Sequence, residues 1–149
     1  MKIDKNQLKA EMLAMYETII YDLSEELRAK KTLTDLDEGN TLDPEDFSNQ
    51  TESREMTLLL EKQIEKTRFD LDRLQHIDFS EKSEAGIGAL VTTDMFNFVL
   101  GVATTPFLFG NVQIVGVSPE APIFRYLVGK KQGESFTYSG NMYNIHTIQ

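Results

Sequence analysis

From Leu8, apolar side chains recur at Met12, Met15, Ile19, Leu23 and Leu27, steps of three or four residues that lay one stripe along a helix. A second run repeats the step through Met56, Leu60, Ile64, Thr67, Leu71 and Leu74. The pattern predicts one helix from residue 3 to about Lys31 and another over about 45–76. Helices of about 28 residues, at 1.5 Å rise per residue, run about 40 Å. Each stripe is narrow and flanked by charge, as at Glu61-Lys62, Glu65-Lys66, Asp70 and Asp72-Arg73. That pattern suits an antiparallel coiled-coil hairpin. The connection, Thr32 to about Leu42, carries the turn signal Gly39-Asn40.

Past residue 78 the period changes. Residues 79–84 read as a short linker. β-branched and aromatic runs then predict strands at 88–93, 96–103, 112–117, 134–138 and 142–148, the last two joined around Ser139-Gly140-Asn141. Between them, Ser118 before Pro119 has the form of an N-cap followed by a first helical residue, and Gly129 that of a stop. A helix of about two turns over 119–128 is expected. The fold class is α+β: a helical hairpin over 1–78, the linker, and an antiparallel-sheet domain with one helix over 85–149.

Composition divides the chain at the same place. One glycine of nine precedes residue 79, and seven of nine phenylalanines follow residue 78. Residues 1–78 carry 19 acids and 11 bases, the remainder 5 and 4, for a net charge of −9. That balance argues against independent DNA binding, which needs a basic footprint. Without cysteine there are no disulfides or thiolate metal sites, which fits a reducing, cytoplasmic setting. The run from Met95 to Pro119 holds no charge, but Thr104-Thr105-Pro106, Gly110-Asn111 and Gln113 interrupt it, so it reads as buried strands and not as a membrane span.

The order Ser118-Pro119-Glu120-Ala121-Pro122, a short apolar helix, then Gly129-Lys130-Lys131-Gln132-Gly133-Glu134 and a terminal strand pair resembles the C-terminal domain of the Gre transcript-cleavage factors of bacterial RNA polymerase. Gly88-Ala89-Leu90-Val91-Thr92-Thr93 looks like the strand that opens that domain. The resemblance implies a coiled-coil hairpin with an acidic tip followed by an FKBP-like domain. It also implies a role: the domain docks on the polymerase, and the hairpin enters the secondary channel to promote cleavage of backtracked RNA, with possible contact to nascent RNA. Ser118, Pro119, Glu120, Pro122, Lys130 and Lys131 become the expected partner-binding residues.

Residues 35–55 hold eight acids against Arg54. The family's tip motif, Asp-Leu-x-Glu-Asn-Ala-Glu-Tyr, falls on Asp43-Pro44-Glu45-Asp46-Phe47-Ser48-Asn49-Gln50. Asp43 matches, Asp46 is a shortened match, and Phe47, Ser48, Asn49 and Gln50 depart. By resemblance, Asp43 and Asp46, with Glu45 beside them, would help retain a Mg²⁺ ion in the polymerase's own active site, since hard cations take oxygen ligands and paired metals stabilise attacking and leaving oxygens. No tight Mg²⁺ site is expected in the isolated protein, and no free-standing enzyme activity. The same residues also serve helix initiation: Asp43 as N-cap, Pro44 at the first position, Glu45 and Asp46 against the helix dipole. Two other functions fit the pattern: a secondary-channel regulator that does not promote cleavage, and an unrelated coiled-coil interaction module.

Overall fold

The computed structural model describes residues 2–37 and 44–149, with the side chains of 2–33 and 51–149. Two long helices packed as a hairpin precede a six-stranded mixed sheet with one short helix. The residues group into two compact units, Leu13–Asp72 and Met1–Met12 with Arg73–Gln149.

Helix α1 runs Lys5–Asp37 and α2 runs Pro44–His76, 33 residues each. Asp4 starts α1: its carboxylate accepts the N–H groups of Asn6 and Gln7 at 3.0 and 3.2 Å. The helix continues six residues beyond Lys31, because nothing between Thr32 and Asp37 breaks it, and the Thr32 hydroxyl bonds back to the Arg28 carbonyl. The Gly39-Asn40 turn lies outside the described residues. Within Leu13–Asp72, Leu60 and Ile64 are buried and Tyr16, Ile20, Leu23 and Leu27 are wholly or partly so, whereas Ile19 and Met56 are exposed. The seam is thus rotated from the predicted stripe: Tyr16 and Ile20 replace Ile19, and Thr57 replaces Met56. A two-helix contact covers only one narrow arc of each helix, so neighbouring apolar positions stay outside it. Lys31 and Glu61 link the two helices at 3.0 Å.

The other unit holds the base of both helices. Leu8, Met12 and Leu74 are fully buried there. Lys9 Nζ donates to the carbonyls of Gln75 and Ile77 at 3.1 and 2.7 Å, occupying acceptors that the end of α2 leaves open. Residues 79–84 are tied in: Phe79 is buried, Lys5 Nζ donates to the Ser80 carbonyl, and Glu84 bridges to Lys131.

The strands are β1 (Leu90–Thr93), β2 (Asn97–Leu100), β3 (Phe107–Phe109), β4 (Val112–Val117), β5 (Ser135–Tyr138) and β6 (Asn141–Ile148), ordered β3-β4-β2-β1-β6-β5. All neighbours are antiparallel except β2 and β4, which are parallel, so the sheet is mixed where an antiparallel one was expected. The cause is β3, three residues lying between the interruptions Thr104-Thr105-Pro106 and Gly110-Asn111, where no strand is predicted. The chain reverses once over 101–106 and again at Gly110-Asn111, and two reversals return β4 to the direction of β2. In the β5–β6 hairpin, Ser139 and Gly140 both have positive φ, which right-handed strand twist favours in a two-residue turn.

Helix α3 is a single turn, Phe124–Leu127, in place of the expected two. The physical reason is Pro122. A helix capped at Ser118 would draw its first N–H···O bond from residue 122, and proline has none to give; proline also turns the preceding residue from helical geometry. The Ser118 carbonyl accepts from Ala121 at 3.0 Å instead, making a turn with Pro119 at its second position. Gly129, at φ 82°, ends the helix as expected.

Candidate functional site

Alternation along β1, β2, β4 and β6 places Val91, Phe98, Leu100, Val117, Tyr143 and Ile145 on one sheet face, in a core shared with Leu127 and Phe136. A four-residue helix cannot cover six strands. Part of the face stays open as a cleft of about 230 Å³, walled by Phe96, Phe98, Pro106, Val115 and Tyr143.

The sequence builds this cleft from strand register. Val115 pairs with Phe98, and Phe98 with Val91, so a small apolar side chain, a ring and a second small one sit side by side. β1 stops at Thr93 while β6 continues to Tyr143, which leaves Tyr143 facing Phe98 with ring centres 6.0 Å apart. Phe136 stacks on Tyr143 at 4.9 Å and 4°, fixing its plane. Phe96 stands 6.2 Å from Phe98 and 6.5 Å from Tyr143 and is 45% exposed, forming the rim. The polar side chains of the lining are Asn97, Gln113 and Tyr143, and the Asn97 amide donates to the Gln113 backbone carbonyl at 3.0 Å. No charged side chain lines it. The cleft suits an uncharged, apolar group the size of one side chain and is smaller than a typical cofactor site.

The predicted docking residues form a second surface in the same unit. Ser118 and Pro119 are half-buried in their turn, and Glu120 and Pro122 are exposed. Glu120 is already engaged: both guanidinium nitrogens of Arg73 bind its carboxylate, one at 3.1 Å, and this pairing holds its carboxyl down at about 2. Lys130 acts through its backbone, which exchanges hydrogen bonds with Leu127 and Ala85, and the Lys131 N–H donates to Glu134. The Glu120 carboxylate and the Lys130 backbone are therefore held by the fold itself.

Asp43 lies outside the described residues, and Glu45 and Asp46 belong to α2 with their side chains outside the described set. Among the described residues no group of three or more His, Asp or Glu is placed to hold a metal, and no helix is long and apolar enough to cross a membrane. The charge-free run 95–119 folds into β2, β3 and β4. Sequence reasoning missed the cleft; the signal that points to it is the series Phe96, Phe98, Val115 and Tyr143 read across paired strands. No protein family model, curated protein or solved structure matches the chain.

Proposed function

We propose that the protein is a bacterial RNA polymerase-binding factor of the Gre type, docking through its sheet domain and acting through its helical hairpin. The observation that supports this reading is the order of parts in one chain: two 33-residue helices in a hairpin, then a sheet domain with a proline-braced single-turn helix and an open aromatic cleft. The cleft supplies the docking role with chemistry. An apolar pocket walled by rings accepts an anchoring side chain from a protein surface, the kind of contact that carries most of the energy in an interface. The hairpin would reach into the polymerase's secondary channel, where Asp43 and Asp46 would help retain the second Mg²⁺ for hydrolysis of backtracked RNA. The protein completes the polymerase's active site and is not an enzyme alone.

A second reading, regulation by occupancy of the channel without cleavage, is favoured by Phe47, Ser48, Asn49 and Gln50, which depart from the family's tip.

The test mixes purified protein with a stalled elongation complex and compares wild type, Val115→Phe and Asp43→Asn. Val115→Phe fills the cleft and is expected to abolish binding. Asp43→Asn keeps an N-capping side chain and is expected to bind normally while slowing cleavage. Wild type that binds without raising cleavage supports the occupancy reading; wild type that does not bind overturns both.

A further inference from the structure

Phe96 is half in solvent, yet its backbone is tightly held. Thr93, 7% exposed at the end of β1, accepts the N–H groups of Met95 and Phe96 on its hydroxyl at 3.2 and 3.0 Å and returns a 2.6 Å bond to the Phe96 carbonyl. Its own N–H also donates to the Phe96 carbonyl, at 3.1 Å. Asp94 clasps the turn to β6: its N–H donates to the Asn144 carbonyl, and its two carboxylate oxygens accept the Asn144 backbone and amide N–H groups at 2.9 and 2.8 Å. A hydroxyl bound to three backbone groups closes a tight turn that a hydrocarbon side chain of the same shape cannot close. One strand residue, one turn residue and one residue of the neighbouring strand thus fix the backbone from which the Phe96 ring leans towards Phe98 and Tyr143.

We infer that Thr93 is the positioning residue of the cleft: its hydroxyl holds Phe96 as a pre-formed wall, so the site admits one uncharged, apolar ring or branched side chain of a protein partner without reorganising. This rests on the docking role proposed for the cleft. Pre-formed walls matter because every rotor frozen on binding subtracts from affinity. The lining has no charge to bind an ionic group, and its volume matches one apolar side chain.

The experiment uses the full chain as wild type, Thr93→Ser and Thr93→Val, with two probes: core RNA polymerase, and indole as a neutral ring followed by NMR shifts of the Phe96, Phe98 and Tyr143 ring protons. Thr93→Ser keeps the hydroxyl and is expected to bind both probes as wild type does. Thr93→Val keeps the shape and loses the hydrogen bonds, so both affinities are expected to fall roughly tenfold, the worth of about one well-placed hydrogen bond. Amide exchange at Met95 and Phe96 should quicken in Thr93→Val alone. Thr93→Val that binds indole like wild type, or Thr93→Ser that loses binding equally, overturns the positioning role. Indole binding that follows the hydroxyl while wild type ignores polymerase upholds the positioning role and overturns the docking reading.

Discussion

Replacing Lys5 with methionine is expected to make the protein more stable at neutral pH, although it deletes a hydrogen bond. Lys5 is 6% exposed, and its Nζ has the Ser80 carbonyl at 2.9 Å as acceptor. Burial is the largest influence on the amine and drives its pKa from the ordinary 10.5 to about 8; Glu81 and Asp78 oppose the shift and Lys82 adds to it. At about 1.4 kcal/mol per pH unit, carrying the charge costs the folded state at most about 3 kcal/mol below pH 8. Above pH 8 the folded chain sheds this proton while the unfolded chain keeps it up to about 10.5. The unfolded state then binds more protons, so the Lys5 contribution to stability rises with pH across that window. Methionine keeps the apolar stem, removes the titration and forfeits about 1 kcal/mol of hydrogen bonding, for a net gain of roughly 1–2 kcal/mol at pH 7. Urea titrations of both proteins, followed by helical circular dichroism from pH 6 to 9.5, give the difference directly, and tyrosine ionisation cancels between them. A difference that stays flat from pH 8 to 9.5, or a methionine variant less stable than wild type at pH 7, would refute the reasoning.

The Arg73–Glu120 pair predicts a change of the same sign in an acidic window: with its folded pKa held near 2, Glu120 contributes stability that is complete above its ordinary 4.5 and is lost as pH falls towards 2. Arg73→Gln should return the Glu120 carboxyl resonance to the ordinary range by NMR. Gly116→Ala should destabilise the fold by several kcal/mol, about 2–4, in a thermal melt, because a Cβ there strikes the Val102 carbonyl and the Thr104 backbone; an unchanged melting temperature would mean that β4 sits farther from that segment. Pro122→Ala restores an N–H, so α3 should lengthen towards Pro119, seen as new helical carbon shifts at 120–123.

Where the chain spoke most clearly, it spoke through repetition. Two helical stripes and five strand runs each contain several residues with one period, and each became an element within a few positions. The seam rotation, Tyr16 in and Ile19 out, was illegible because adjacent apolar positions on a helix differ only by which arc finds a neighbour. β3 was illegible because three residues carry no period, and with it went the parallel pairing. The shortness of α3 is written in Pro122, whose missing N–H outweighs the cap signal at Ser118 and the stop at Gly129. The cleft escaped because Phe96, Val115 and Tyr143 stand far apart in sequence and meet only through register. The turn at Ser118-Pro119-Glu120 was found, yet Glu120 proved to belong to Arg73, 47 residues away.

The way the unit of residues 1–12 and 73–149 is assembled from two distant stretches of the sequence bears on synthesis. Its β1 waits for β6, and Ile3 meets Gln149 through two amide hydrogen bonds spanning 146 residues. Residues 13–72, by contrast, are all translated before β1 exists. On the ribosome the helices can zip by local contacts while β1 and β2 emerge with unpaired edges and no β6 to close them. A nascent chain arrested before Asn141 would therefore display formed helices beside an open, apolar half-sheet, the form most in need of a chaperone and the first to aggregate.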